Sequence, residues 1–224
     1  LCRNKCFILI TLAFAVIYTS LGLTGGSRIY YAKYVLGDEM LNSTMTMFNY
    51  IPTILTIMLI PVFTKRFGKI KALFVGFLFY AAGLVLEIAG PVNLPMIYTG
   101  LVLQGIGHAA LYSCLFAIVG DVVDYSEWKD GIREEGLTYS VTSFGQKIGT
   151  GLGTAALGWI LAAGHYDGTA AVQSASAIFA IKGLFLYLPL VITVIVLIIW
   201  YLFMGIDKIY PTVRKELDER REKA

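Results

Sequence analysis

Six long apolar segments constrain this chain more than any other feature of its sequence, and nearly all charged residues lie between them. They cover residues 7–26, 44–63, 72–89, 95–119, 137–163 and 175–203. A hydrophobic stretch of about 18 residues or more is long enough to cross a bilayer as a helix. The prolines within them, such as Pro52 and Pro189, are tolerated in helix bundles but not inside sheets. The pattern predicts an all-α membrane protein, in which residues 1–204 form one bundle of six transmembrane helices.

The composition excludes several other classes of protein. Hydrophobic residues make up 57% of the chain and charged residues only 15%, whereas soluble domains carry about a quarter charged residues. A net charge of +3 is too small for a strongly basic surface, so we expect no nucleic-acid partner. The three cysteines, without a CxxC spacing, indicate neither a disulfide framework nor a metal site, and we expect no cofactor.

The distribution of Lys and Arg predicts the orientation of the bundle. Of the 18 basic residues, fourteen fall on one side of the six segments, and Arg28 and Lys33 fall on the other. The remaining two, Lys147 and Lys182, lie inside segments. Because basic residues concentrate in cytoplasmic loops, both termini are predicted to be cytoplasmic. We therefore expect a multi-pass protein of the plasma (inner) membrane.

The two ends of the chain add two expectations. Residues 205–224 are polar, and the pairs Glu216/Arg220 and Glu219/Lys223, four residues apart, are typical of a short solvated helix. This segment is predicted to be a cytoplasmic tail. The chain begins with Leu rather than Met, so we expect it to be part of a longer protein.

Lys147 is the strongest functional signal because it lies about ten residues into the fifth segment. That depth is near the middle of the bilayer, where a lysine costs about 2.5–3.5 kcal/mol. No acid of this chain is predicted at the same depth, since Glu87 lies near the external end of its segment. We expect Lys147 to face a water-filled cavity, with a counter-charge from another half, another subunit or a ligand. Lys182 is close enough to the outer surface to snorkel.

The fifth segment has two faces of different chemistry. Polar groups recur every four residues at Tyr139, Ser143, Lys147 and Gly151. Small residues form a nearly opposite stripe at Gly145, Gly149 and Gly153. Such a stripe lets a neighbouring helix approach closely. One face is therefore predicted to pack against a helix, and the other to line a cavity.

The fourth segment also presents a regularly spaced set of polar and aromatic groups. They are Gln104, His108, Tyr112 and Phe116. Aromatic faces can cover the apolar face of a sugar ring, while amides and hydroxyls offer oriented hydrogen bonds. The set predicts a site for a sugar-sized polyhydroxyl ligand. The alternative is that Gln104 and His108 bond one helix to another.

The connection after the fourth segment is rich in acids. GDVVDYSEWKDGIREEG (120–136) holds six acids and two bases. A solvated loop is the simpler interpretation. The other is a cytoplasmic gate, in which Asp121, Asp124 and Arg133 make and break ion pairs as two halves of a carrier rock.

Three stretches of the chain resemble one family of membrane carriers. GDVVDYSEWKDGIREEGLTYSVTSFGQK (120–147) closely resembles the signature between helices ten and eleven of the glycoside-pentoside-hexuronide:cation symporters, in the major facilitator superfamily. YYAKYVLGDE (30–39) resembles the external end of the family's helix seven, and residues 173–189, ending in LYLP, resemble helix twelve. The resemblance implies that the chain is the carboxy-terminal half of a twelve-helix transporter, beginning at helix seven.

The resemblance also implies site residues and partners. Lys147 matches the family's essential lysine of helix eleven, close to the sugar and cation sites. Tyr112 falls where a member has a sugar-stacking tryptophan, and Thr142 and Ser143 fall where it has a glutamine and a threonine. The family's carboxylates for the coupling ion, sodium or a proton, lie in the amino-terminal six-helix half. That half would be a partner of this chain, beside the sugar or glycoside, the monovalent cation and the lipid bilayer.

Three functions are compared on this basis. Symport of a sugar or glycoside with a cation, by alternating access between two halves, is the first. An enzyme is not expected, because the chain has no HExxH, no paired intramembrane aspartates and two histidines in all. The alternative to a symporter is a six-helix channel or assembly subunit that homo-oligomerises through the glycine stripe at Gly145.

Overall fold

The chain folds almost entirely into helices. A computed structural model describes residues 5–131, 133, 135–170 and 172–222, and no strand occurs among them. The elements are α1 (Lys5–Tyr34), α2 (Leu41–Ile57), α3 (Ile60–Phe67), α4 (Lys69–Ala89), α5 (Leu94–Asp130), α6 (Glu135–Ala163), α7 (Ala175–Lys182), a π-helical turn (Gly183–Tyr187) and α8 (Leu188–Glu222).

Several of these helices can cross a membrane. Four stretches are long and apolar enough, namely Phe7–Tyr34, Lys69–Ala89, Leu94–Lys129 and Ala175–Met204. The bent pair α2 and α3 would make a fifth. These helices confirm a multi-pass, all-α membrane protein. α6 is long enough, with 29 residues, but its many Gly, Ser and Thr residues and Lys147 make it less apolar. Six crossings, and a bundle that ends at residue 204, stay predictions.

The bend of 55° between α2 and α3 follows from Pro61. Proline has no N–H to donate, and in a helix its ring collides with the carbonyl of the residue four positions earlier. That residue is Ile57, where α2 ends, and Pro61 lies in the first turn of α3, where proline is tolerated. The predicted segment 44–63 is therefore two helices rather than one straight helix.

Glycines on α6 let α1 approach closely. A Cβ atom added to Gly149 would collide with the carbonyl oxygen of Ala15. From the other side, a Cβ atom on Gly22 of α1 would lie 2.7 Å from the carbonyl oxygen of Thr150. These contacts confirm the predicted packing face of α6. On the opposite face, a Cβ atom on Gly151 would have no described neighbour within 4 Å.

α4 and α5 form a second close pair. A Cβ atom on Gly100 would lie 2.7 Å from the carbonyl oxygen of Gly83. About one turn away, Gln104 Nε2 donates a hydrogen bond of 2.7 Å to Glu87 Oε1, and both side chains are buried. The other carboxyl oxygen, Glu87 Oε2, is buried without a hydrogen-bond partner in the described part of the chain. The pair thus combines backbone contact with a buried polar bond.

The acid-rich segment 120–136 is mostly helix. α5 continues to Asp130 and ends at Gly131, whose φ of 71° lies in the left-handed region that favours glycine. The interpretation of the whole segment as a solvated loop is therefore wrong for residues 120–130. Apolar side chains at buried positions, such as Val122 and Val123, keep this part of α5 packed.

The polar tail is also packed rather than free. α8 runs without a break to Glu222, and its side chains Val213 and Leu217 are buried. Trp128 Nε1 of α5 donates a hydrogen bond of 2.7 Å to Glu216 Oε2. The predicted helix is confirmed, and Arg214, Lys215, Glu219 and Arg220 are exposed on it. It is neither short nor separate, because it continues α8 and contacts the extension of α5. Lys223 lies outside the described residues.

A π-helical turn joins α7 to α8. It covers Gly183–Tyr187, directly after the half-buried Lys182, and its residues Leu184, Phe185 and Leu186 are buried. A π turn holds an additional residue, so the helix continues but its side chains are shifted around the axis. α7 packs against α1 and α6, whereas α8 packs mainly against α4 and α1.

Alanine substitutions at Gly149 and Gly151 should have opposite effects. At Gly149 the methyl group can only displace the backbone of Ala15, which should cost about 1–3 kcal/mol. At Gly151 there is room, and alanine should gain up to about 1 kcal/mol of helix propensity. Thermal unfolding midpoints of the complete protein in one detergent test this. Equal midpoints for the two variants would contradict the close contact of α1 and α6.

The substitution Gln104→Leu should destabilise the protein by about 1–3 kcal/mol, because the buried carboxyl of Glu87 loses its hydrogen-bond donor. The double variant Glu87→Leu/Gln104→Leu should be more stable than Gln104→Leu, since it leaves neither member of the pair unpaired. The same unfolding measurement compares them. A double variant that melts below the single variant would show that the bond contributes little.

Candidate functional site

A polar cavity of about 220 Å³ lies between α1, α2 and α5. Its polar lining consists of Thr24, Arg28, Asn42, Thr46, Asn49, Tyr50, His108 and Tyr112. Asn42, Thr46 and Asn49 share one face of α2 because three or four positions separate them. A whole ligand site typically has about 300–1,000 Å³. These three helices therefore enclose room for part of a ligand.

The cavity has a more polar lining than the other hollows found among the described residues. A hollow of about 340 Å³ between α2 and α5 is larger, but residues such as Met47, Phe48 and Ile51 make it apolar. Converging polar groups in a concave site are what fixes the orientation of a polar ligand. The polar cavity is thus the candidate site.

Arg28 is a member of this site that the sequence pattern does not predict. Arg28 follows the first predicted apolar segment, 7–26, so the sequence pattern places it in an external loop. In the structure α1 continues to Tyr34, and Arg28 lies within the helix. Its Nη1 donates a hydrogen bond of 3.2 Å to Thr46 Oγ1, and its Nε is buried without a partner among the described residues. The absence of Gly and Pro from residue 27 to residue 36, before Gly37, is the signal that the helix continues.

His108 and Tyr112 are two predicted site residues that the structure brings together. Both line the cavity, with ring centroids 5.8 Å apart, and Tyr112 is 45% exposed. His108 Nδ1 lies 3.3 Å from Asn49 Oδ1, while Asn49 Nδ2 donates to the Leu101 carbonyl. His108 therefore bonds α5 to α2, as the alternative predicts, and it also lines the cavity, while its contact with a sugar stays a prediction.

Gln104 does not line the cavity. It is 5% exposed and bonds to Glu87 on α4, which agrees with the helix-to-helix alternative. Residues four apart on a helix advance by about 40° around its axis, so Gln104 and Tyr112 point about 80° apart. Phe116, farther along, contacts the ring of Phe14 on α1 and does not line the cavity.

The predicted site residues of α6 lie apart from the cavity. Lys147 is exposed, and no ion pair joins it to an acid within the described ranges. Thr142 is buried on the face of the packing glycines, and its hydroxyl donates to the carbonyl of Thr138. Ser143 is half-buried. The structure thus brings none of the three into contact with the cavity lining.

The three predicted gate residues lie at the end of α5, in two separate ion-pair groups. Arg133 contacts Asp124 at 3.1 Å, Glu127 at 2.7 Å and Glu135 at 3.0 Å. These hydrogen bonds, with Glu127 first, raise the pKa of Arg133 above its ordinary value. Asp121 instead pairs with Lys69 of α4 at 2.7 Å. Asp124 and Arg133 are therefore together, while Asp121 ties α5 to α4.

A hydroxyl from α8 joins the same region. Tyr210 donates a hydrogen bond of 2.9 Å to Asp124 Oδ2. Burial, followed by the charge of Asp121 and the bond to Asp124, raises the pKa of Tyr210, so it stays a donor at neutral pH. The sequence pattern does not predict this contact, because Tyr210 lies 86 positions from Asp124.

Comparisons with known proteins connect this arrangement to transporters. An isoprimeverose transporter of Lactiplantibacillus pentosus is 32% identical over 197 residues, which cover 86% of this chain and 40% of the relative. A glucuronide carrier protein homolog of Escherichia coli is 27% identical over 222 residues, which cover 98% of this chain and 48% of the relative. The chain therefore spans less than half the length of either relative. Both are named as transporters or carriers, not as enzymes.

The family assignment rests on nearly the whole chain. Residues 1–208 match the family described as MFS/sugar transport protein. The match includes all the helices that line the cavity and α6 with Lys147. The chain therefore belongs to the sugar transport family of the major facilitator superfamily, the glycoside-pentoside-hexuronide type of carrier that its sequence resembles.

Proposed function

We propose that the chain is the carboxy-terminal half of a secondary active symporter that carries a sugar or glycoside together with sodium or a proton. In this proposal, substrate binds between this half and an amino-terminal six-helix half, and the two halves rock to give alternating access. The carrier would lie in the plasma (inner) membrane with both termini of the chain in the cytoplasm. Its coupling-ion carboxylates would lie mainly in the other half.

The exposure of Lys147 is the observation that carries the proposal. Lys147 lies 12 residues from the start of the 29-residue α6, which is about 18 Å along the axis and well inside the helix. A cation at that depth needs water or a counter-charge, and the described residues of this chain supply no acid within ion-pair distance. A second half that closes over α6 would supply both the counter-charge and the remaining wall of the site.

The proposed substrate site combines the cavity with α6. Tyr112 and His108 would stack on and orient the sugar, and Lys147 would act near the sugar and the cation. Ser143 lies one turn before Lys147 and would add a hydroxyl. Gln104 and Thr142 would act indirectly, since both are buried against neighbouring helices.

The two relatives support transport of a sugar but not of one particular sugar. Isoprimeverose is an uncharged sugar, whereas a glucuronide carries a carboxylate. Symport by alternating access would work in the same way for a neutral sugar and for an acidic one. The cytoplasmic gate of Asp121, Asp124 and Arg133 stays part of the proposal, with Lys69 added as the partner of Asp121.

A homo-oligomeric channel has less support. That alternative needs the glycine stripe of α6 to contact another copy of the chain. The stripe is already in contact with α1. A Cβ atom added to Gly145 would lie 3.3 Å from the carbonyl oxygen of Thr11. Both relatives are also named for carrying a solute.

Replacing Lys147 by glutamine in the complete carrier should lower cation-dependent uptake of its labelled glycoside about 10- to 100-fold, the amount expected for a lost charge-assisted hydrogen bond. Uptake into vesicles is measured under imposed sodium and proton gradients, one at a time. The control Lys65→Gln removes the same charge from an exposed position on α3 and should leave uptake unchanged. Unchanged uptake and coupling in Lys147→Gln would contradict the proposal.

A further inference from the structure

Arg28 is the one charged side chain in the described lining of the polar cavity. The other polar lining groups are hydroxyls, amides and the imidazole of His108. No acid lines the cavity, and no ion pair joins Arg28 to a described acid. The cavity therefore has a positive charge that no neighbouring carboxylate contacts.

Glu87, the buried acid of the neighbouring helix α4, makes no ion pair with Arg28 among the described residues. Its carboxyl is buried, bonds to Gln104 and does not line the cavity. Glu87 therefore joins α4 to α5 and leaves the cavity side of Arg28 open to an anion.

Outward snorkelling, the usual explanation for a cation near the end of a membrane helix, does not fit Arg28. The side chain turns inward, because Nη1 donates to Thr46 Oγ1 on α2 and Nε is buried. Lys33, five residues later on α1, shows the contrast, since its side chain is 49% exposed and pairs with Glu39 at 3.4 Å. An ionisable group turned into a membrane-protein cavity is functional by default.

The surroundings of Arg28 suit an acidic sugar. A guanidinium matches the paired oxygens of a carboxylate or sulfonate better than any neutral group does. The hydroxyls of Tyr50 and Tyr112 have no hydrogen-bond partner among the described residues, and both side chains are exposed at the cavity. They can bond the ring hydroxyls of a sugar.

We propose that the cavity between α1, α2 and α5 is a subsite for the anionic group of an acidic sugar, a carboxylate or a sulfonate, with Arg28 as its counter-charge. The inference rests on the proposed transport function and narrows its substrate class. A neutral sugar of the same shape would leave the guanidinium without an acceptor and would bind less well.

The test compares three probes that share a sugar ring: methyl glucuronide with a carboxylate, methyl sulfoquinovoside with a sulfonate, and methyl glucoside with a neutral hydroxymethyl group. Uptake of each is measured for the complete carrier in membrane vesicles. The wild-type carrier should prefer one or both acidic probes. The variant Arg28→Gln should lower uptake of the preferred acidic probe about 10- to 100-fold, while uptake of methyl glucoside, which carries no anionic group, should fall far less or rise. Which acidic probe is preferred distinguishes carboxylate from sulfonate.

Two further variants separate charge from folding. Arg28→Lys keeps the charge without the forked geometry, so it should retain more acidic-probe uptake than Arg28→Gln. Lys33→Gln removes a charge from the same helix outside the cavity and should match the wild type. Equal elution of all variants on size exclusion confirms that each one folds.

Each contrary result has its own meaning. A wild-type carrier that takes up methyl glucoside but neither acidic probe would overturn the anion subsite and leave the proposed symport intact. Equal losses of acidic and neutral uptake in Arg28→Gln would show that Arg28 is structural and would also overturn the subsite. A carrier that takes up none of the three probes, nor any sugar of a wider panel that includes isoprimeverose, under either ion gradient would overturn the proposed function itself.

Discussion

Close contact between helix backbones at glycine is the constraint on which the rest of this structure depends. Lipid chains are as apolar as leucine, so burial of apolar side chains does little to hold helices together within a membrane. Where α1 meets α6 and α4 meets α5, glycines let the backbones touch and add many short van der Waals contacts. Because the glycines of α6 occupy one face, its other face is left for polar groups such as Lys147.

The fold class and the helix positions were predictable from the sequence because the length of an apolar segment reports how far a helix runs through hydrocarbon. Helix ends were less predictable, since hydropathy describes the solvent around a helix and not the place where its backbone hydrogen bonds stop. α5 and α8 therefore extend into polar sequence as far as Asp130 and Glu222. Arg28 was taken for a boundary for the same reason, although α1 continues past it.

The polar residues on the helices fall into two groups, and their spacing in the sequence does not distinguish one group from the other. Gln104 is satisfied by Glu87, a partner on another helix whose position depends on how α4 and α5 cross. Tyr112 and Lys147 have exposed side chains and stay available for contacts beyond this chain. The four-residue spacing predicted a common face, but the drift of about 40° per step turns its members toward different neighbours. Depth in the segment was a better guide for Lys147, because the cost of a buried cation does not depend on helix register.

The π-helical turn at Gly183–Tyr187 links two packing arrangements that one regular α-helix would not satisfy together. It behaves as a one-residue insertion that the helix has absorbed without a break. If the turn became regular α-helix with all its residues kept, everything after it would rotate by about 100° relative to α7. The buried Trp200 and Phe203 would then turn away from the core, although no residue of α8 itself had changed. A relative with one residue fewer at this place would need no π turn, because regular α-helix would then hold the same side chains against the core.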